Sequence, residues 1–408
     1  MGSPNKRWQR GKASLPLAAL GLVSAVVLAA CGGGTPGSSS SSPGGADHTV
    51  VYAFGVAGTK GKVAQTQHDT PTPIHGISGS VVQIATSNST TYALTSSGTV
   101  YAWGVASLDE LGNGTAPAYT STAEKVDFPS GVRITKLANP MPFDAAMAID
   151  ATGDLWAWGL NGEHDLCEAS PSLIPRPTKV DLSQVTLATG ARTHSLVYAK
   201  GTLYACGNGA NGQLGTGDTT SVTKPTPVIG LPKGKVKALT SSWGGSGALM
   251  ESGAYYDWGY NRTGQLGVGS TADSPFPDHV ILPSAVTQVF QGGSGPDNGQ
   301  TQAILTNGSQ WAWGSGRWGQ LGNQSTGNEH LPVQITLPNG ANAASVASGG
   351  YASYAVDTSG GLWAWGRNND GQLGTGRTEP LRRTPVQLHI TARQVSSTAQ
   401  NVAVLSGS

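Results

Sequence analysis

Charge is what this sequence has least of. Only 12% of its 408 residues are Asp, Glu, Lys or Arg, half the usual quarter. A long helical rod or coiled coil is excluded, because the Ala/Glu/Lys/Leu-rich composition of such chains is missing. Collagen is excluded too, since the glycines follow no G-X-Y period. A basic excess is also absent. The net charge is +1, and Lys6, Arg7, Arg10 and Lys12 lie in a segment expected to be removed. That leaves 20 basic residues against 23 acidic, a charge of −3. Nucleic-acid binding rests on Lys and Arg neutralising phosphates, so the chain carries no footprint for it. Adhesion to anionic lipid through a basic face is equally unsupported.

What the chain does have is glycine, at 59 residues, about twice the usual share. Proline adds 24, and 38% of residues are hydrophobic, including 11 Trp and 11 Tyr. Such a chain can bury a core. Gly, Ser and Thr punctuated by aromatics predict an all-β protein. The length allows two or three ordinary domains or one large repeat architecture.

Residues 1–12 carry four positive charges and no acid, and Leu15–Ala30 is an apolar run ending in small residues. This is the pattern of a secretory signal, expected over residues 1–30. The run is short for a membrane span of roughly 20 residues. It ends in Leu28-Ala29-Ala30-Cys31, which resembles the bacterial lipobox, in which the Cys thiol is acylated and becomes the new N-terminus. Gly32–Ala46 reads GGGTPGSSSSSPGGA and is expected to be a flexible tether spanning roughly 20 Å. Residues 31–47 are thus the lipid-attachment Cys and linker, and 48–408 the folded body. Export predicts a disulfide-permissive compartment.

The body repeats one motif seven times: YAFG (52–55), YAWG (101–104), WAWG (156–159), YACG (204–207), YDWG (256–259), WAWG (311–314) and WAWG (363–366). The spacing averages about 52 residues. Four copies continue into a Gly-Gln-Leu-Gly turn at 212–215, 264–267, 319–322 and 371–374. The second keeps Glu110-Leu111-Gly112, and the third has Asp165-Leu166-Cys167. Between motifs come a Pro-bounded strand, a β-branched strand and a short apolar strand, giving about four strands per unit. One such unit cannot bury both faces alone, but radial stacking can, which predicts a β-propeller. The chain ends AQNVAVLSGS, the front half of a repeat, and the body opens TVVYAFG, the back half. The expected fold is therefore a seven-bladed β-propeller of four-stranded blades, closed by the N- and C-terminal strands pairing in one blade, with no free sheet edge.

The pattern W-G-x-N-x-x-G-Q-L-G-x-G, best seen in WGYNRTGQLGVG (258–269) and WGRNNDGQLGTG (365–376), resembles the regulator-of-chromosome-condensation repeat. The resemblance covers roughly residues 48–408. It implies the propeller fold and says little of function, because propellers of that family host nucleotide exchange, ubiquitin ligation, photoreception and enzyme inhibition.

Motifs for chemistry are missing. There is no G-x-S-x-G elbow, no phosphate-binding loop and no calcium loop. His194-Ser195 is read as ordinary strand filling, and Glu163-His164-Asp165 as a solvated turn. Cys167 replaces the Gly of a turn and Cys206 the Trp of a blade. They lie in neighbouring units, and two separate buried thiols are the favoured reading over a disulfide. No catalytic residue, cofactor or metal is expected.

One positional set stands out. The turn before each short apolar strand comes once per blade, so these turns should ring one mouth of the propeller. They contain Asn88, Phe143, Arg192, Trp243, Asp297, Asn298 and Tyr351. Aromatics and Arg in exposed loops are typical binding anchors, so this ring is the expected partner-binding face, with Trp318 a weaker candidate. The leading functional reading is a non-catalytic, surface-tethered lipoprotein of a bacterial membrane, facing the periplasm or exterior. It would be monomeric and would bind an unidentified extracellular protein or glycan, touching membrane only through its lipid. The alternative is an extracellular enzyme such as a polysaccharide lyase or hydrolase. Guanine-nucleotide exchange ranks below both, because export removes its substrate.

Overall fold

The computed structural model describes residues 51–57, 66–88, 90–369, 371–398 and 401–406. The signal, Cys31 and the linker lie outside the described residues. Two strands, β1 (Tyr52–Ala57) and β2 (Thr66–Pro73), form an N-terminal hairpin. Six four-stranded antiparallel sheets follow. Blade I is β3 (Val81–Thr86), β4 (Thr90–Thr95), β5 (Val100–Gly104) and β6 (Thr120–Lys125). Blade II is β7 (Ile134–Leu137), β8 (Ala145–Asp150), β9 (Leu155–Leu160) and β10 (Leu173–Lys179). Blade III is β11 (Val185–Gly190), β12 (His194–Ala199), β13 (Thr202–Gly207) and β14 (Val222–Pro227). Blade IV is β15 (Val236–Ser241), β16 (Gly245–Met250), β17 (Tyr255–Gly259) and β18 (Ser274–Val280). Blade V is β19 (Val286–Gly292), β20 (Gln300–Leu305), β21 (Gln310–Gly314) and β22 (Glu329–Ile335). Blade VI is β23 (Ala343–Ser348), β24 (Ala352–Asp357), β25 (Gly361–Asn368) and β26 (Glu379–Thr391). A C-terminal hairpin, β27 (Gln394–Thr398) and β28 (Asn401–Leu405), ends the chain.

The expected seventh sheet needs correction. Among the described residues the terminal strands do not share a ladder: β1 pairs with β2, and β28 with β27. The reason is entropic. Pairing with the strand next in sequence closes a short loop, whereas joining the two ends closes one of the whole body, and closure cost grows with loop length. The two hairpins nevertheless lie beside each other. Val51 and Leu405 are buried in one apolar cluster with Ile84 and Trp103 of blade I, while Val395 and Val404 pack into the core of blade VI. The inner strand β27 touches β23 on one side and β3 on the other, where Ser396 Oγ lies 3.3 Å from Thr86 Oγ1.

The repeat motif explains how neighbouring blades join. Trp103, Trp158, Trp258, Trp313 and Trp365 are all fully buried. Each holds the same position on the third strand of its blade, and all but Trp103 face the turn glycine of the previous blade. Trp158 Nε1 donates to Glu110 O (2.9 Å), Trp258 Nε1 to Gln213 O (3.0 Å) and Trp365 Nε1 to Gln320 O (2.8 Å). In these three the indole buries a large apolar surface while its N–H is satisfied. The last glycine of the turn lies flat against that ring. At Gly322, where φ is +75°, an added Cβ would sit 2.7 Å from Trp365 Nε1. Gly322→Ala is expected to cost about 2 kcal/mol, from the left-handed backbone and the overpacked indole together. Chemical denaturation of the single variant measures it, and an unchanged midpoint would contradict this packing.

Between blades II and III that contact is replaced. Cys167 occupies the glycine position and keeps its left-handed backbone (φ 65°). Cys206 occupies the Trp position. The two form a disulfide, with Cα atoms 5.2 Å apart. The expectation of two separate thiols is therefore corrected. A Gly–Trp junction places its two Cα atoms close enough for a covalent bridge once both side chains are Cys.

Candidate functional site

In every blade the turn between the first two strands lies at the same end as the close of the third strand. Backbone bonds fix this. Leu160 N donates to Asp144 O (2.9 Å), Asn208 N to Thr193 O (2.8 Å), Tyr260 N to Gly244 O (2.8 Å) and Arg367 N to Tyr351 O (2.9 Å). One mouth of the propeller thus carries two concentric sets of residues, the inner turns and the positions just after each motif glycine.

The inner set surrounds a funnel. Its rim includes Asn88, Phe143, Arg192 and Trp243, and its floor includes Ser241, Gln291, Ser348 and Ser397. Neighbouring blades are tied together here. Asn88 N donates to Phe143 O (2.7 Å), Phe143 N to Ala191 O (3.0 Å) and Trp243 N to Gly293 O (3.1 Å). The throat has a volume of about 30 Å³. A water or two fits there, but a small-molecule site usually needs several hundred Å³.

Of the predicted residues, Phe143, Arg192 and Trp243 come together on this funnel. The guanidinium of the exposed Arg192 lies over the Phe143 ring at 5.0 Å. Tyr351 is half-buried and belongs to a second aromatic group farther round. Its ring meets Trp318 edge-on at 6.2 Å, and the Arg367 guanidinium lies 5.2 Å from Tyr351 and 5.3 Å from Trp318. Asp297 is exposed. Asn298 is turned inward: its Oδ1 accepts from Ser294 N and Gly295 N, both at 2.9 Å. It shapes its own loop rather than facing outward.

Several residues of the mouth were missed from the sequence. Tyr260 packs edge-on against Trp243 at 5.3 Å, and the Arg262 guanidinium lies 5.9 Å from the Tyr260 ring. Arg317 lies 5.7 Å from Trp318. The signal was available, because Tyr260 and Arg367 directly follow motif glycines, and Arg262 and Arg317 stand three residues after them.

The buried titratable groups lie beneath this surface. Glu110 and Asp165 stand where other blades have the Gln of Gly-Gln-Leu-Gly. Glu110 Oε2 accepts from Leu108 N (2.7 Å), as Gln213 Oε1 does from Asn211 N (2.8 Å). Burial pushes the Glu110 carboxyl up to about 8, and that of Asp165 to about 7. In blade IV, Asp257 takes the place of a motif alanine opposite Gly247, whose missing Cβ leaves room for the Tyr255 hydroxyl beside it. Burial holds its carboxyl well above the usual range. Its Oδ1 accepts from Gln291 Nε2 (2.6 Å), which links it to the funnel floor. His194 donates to or accepts from Ser246 Oγ (2.7 Å) in the next blade, and burial lowers it to about 4. It bridges blades rather than activating Ser195. Among the described residues no three His, Cys, Asp or Glu side chains are grouped to hold a metal ion.

Comparison with known proteins matches this architecture. The regulator of chromosome condensation (RCC1) repeat profile matches residues 200–249, 252–295, 307–356 and 359–405, and a second profile of the same repeat matches 81–106 and 343–372. Together they span more than half of the chain. The Ultraviolet-B receptor UVR8 of Arabidopsis thaliana is 28% identical over 82% of this chain and 78% of its own. The human E3 ubiquitin-protein ligase HERC2 is 29% identical over 60% of this chain, which spans only 5% of that larger protein. Among solved structures, Prp20p from Saccharomyces cerevisiae superposes with a TM-score of 0.74 at 20% identity, covering 88% of this chain and 91% of its own. The chain belongs to the regulator of chromosome condensation (RCC1) repeat family.

Proposed function

We propose that this protein is a non-catalytic binding module whose mouth captures another protein. The carrying observation is the mouth itself. Phe143, Arg192 and Trp243 surround a throat of about 30 Å³, so large anchor side chains are displayed over a surface with no room for a substrate. This is how protein interfaces are built, with aromatic and Arg anchors on shallow relief. The enzyme alternative needs an acid/base pair facing a cleft. Glu110 and Asp165, the carboxyls with raised pKa values, are buried in the place of structural glutamines and do not line the funnel. The yeast relative Prp20p was solved with a study of its binding to Gsp1p and histones, a precedent for partner binding on this fold.

The same reading makes the body an exported lipoprotein, acylated at Cys31 and held off a bacterial membrane by Gly32–Ala46. Leu28-Ala29-Ala30-Cys31 after a basic and apolar leader supports it. The two terminal hairpins together serve as the seventh blade, supported by the shared burial of Val51 and Leu405.

The test is affinity capture from the native cell surface followed by mass spectrometry. Phe143→Ala/Trp243→Ala/Tyr351→Ala should keep the wild-type circular dichroism and lose the captured protein. Recovery of the same partner by the folded triple variant would refute the mouth as the binding face.

A further inference from the structure

Charge divides the mouth. Carboxylates collect on blades I and II, at Asp109, Asp144 and Glu163, with Glu110 and Asp165 beneath them. Blades III to VI contribute one arginine each, Arg192, Arg262, Arg317 and Arg367, with the exposed Asp297 of the blade V turn as a carboxylate among them. All four guanidiniums lie over aromatic rings, at 5.0 to 5.9 Å from their centroids. Among the described residues no carboxylate lies within ion-pair distance of Arg192, Arg262 or Arg317. All three are exposed.

In Arg192, Arg262 and Arg317 the stacked guanidinium keeps its N–H edge toward solvent, and that edge matches a carboxylate in two parallel hydrogen bonds. The ring beneath holds it in place, so less side-chain freedom is lost on binding. Trp243, Trp318 and Tyr351 add apolar surface between the charges. We propose that blades III to VI of the mouth take an acidic segment of a partner protein, with Arg262 and Arg317 pairing its carboxylates and Trp318 its apolar side chains. This rests on the mouth being the partner face, and it adds the partner's chemistry.

The test uses the folded body and a labelled peptide alternating Glu and Leu, with a Lys and Leu peptide as the control, read by fluorescence anisotropy. Saturable binding of the Glu peptide alone is expected, weakening as salt rises. Arg262→Glu/Arg317→Glu alters only exposed side chains and should weaken binding at least tenfold, as should Trp318→Ala. Equal binding of both peptides, no binding of either, or an unchanged affinity in the charge-reversed variant overturns the assignment. So does a dimer in sedimentation analysis that the same charge reversal dissolves, because the arc would then face a second copy. Cell-surface capture separates the two claims. If the mouth triple variant loses its partner while the Glu peptide fails to bind wild type, the mouth remains the binding face with a different partner chemistry.

Discussion

Cys167→Ser/Cys206→Ser lowers the unfolding free energy by about 4 kcal/mol. The bridge spans 39 residues of sequence, and closing a loop of that length in the unfolded chain accounts for a loss of this size. The two sulfurs also stand in for an interblade Gly–Trp contact, so the serine pair leaves that junction poorly filled. Guanidinium denaturation of wild type with and without reductant gives the bridge's share, and the serine pair gives the total. A reduced wild type as stable as the oxidised one would show that the bridge contributes nothing. Cys167→Gly/Cys206→Trp is the informative companion. It rebuilds the junction used by four other pairs of blades, and should be more stable than the serine pair and indifferent to reductant.

Glu110→Gln should stabilise the protein by about 3 kcal/mol at pH 7 and not at all near pH 4. Burial raises the Glu110 carboxyl from 4.5 to about 8 in the folded state. Between those values the native protein holds a proton that the unfolded chain has released. Stability therefore falls as pH rises through that window and levels off above it. At pH 7 the shift amounts to about 2.5 pH units of lost stability, each about 1.4 kcal/mol. A glutamine keeps the acceptor for Leu108 N and the occupant's shape while abolishing the titration. Denaturation midpoints of both proteins from pH 4 to 9 should converge at the acidic end and separate above it. Parallel curves would show that Glu110 is ionised in the native state. Asp165→Asn should behave alike, with a separation of similar size that levels off about one pH unit lower, since its carboxyl rises from 3.8 to about 7.

Much of the fold was legible because the motif is set by interblade packing. Aromatic-Ala-Trp-Gly recurs since each indole must reach the previous blade's turn, and Gly-Gln-Leu-Gly recurs since that turn must present a carbonyl and a bare backbone. The same logic makes the bridge readable in hindsight: the one turn that lost its final glycine precedes the one blade whose motif has Cys for Trp. Ring closure was not legible. Self-alignment reveals two half-repeats but cannot rank a ladder between them against the local hairpins Thr398↔Asn401 and Ala57↔Thr66. At the mouth, Phe143, Arg192 and Trp243 were found because they occupy the same turn of three successive blades. Trp318 was named only as a weaker candidate and Tyr260 not at all, because both sit on the loops after the third strands, which only the strand direction brings to the same end.

The position of the hairpins bears on how the disc behaves under stress. They sit between blades VI and I, whereas the residues proposed for contact, from Phe143 to Arg367, come from blades II to VI in unbroken chain order. Springing the ring at that gap would take Ser397 from the funnel floor but leave a C-shaped arc in which Phe143, Arg192, Trp243 and Arg367 keep their places. Wear at the ends of the polypeptide therefore need not reach the residues proposed to grip a partner.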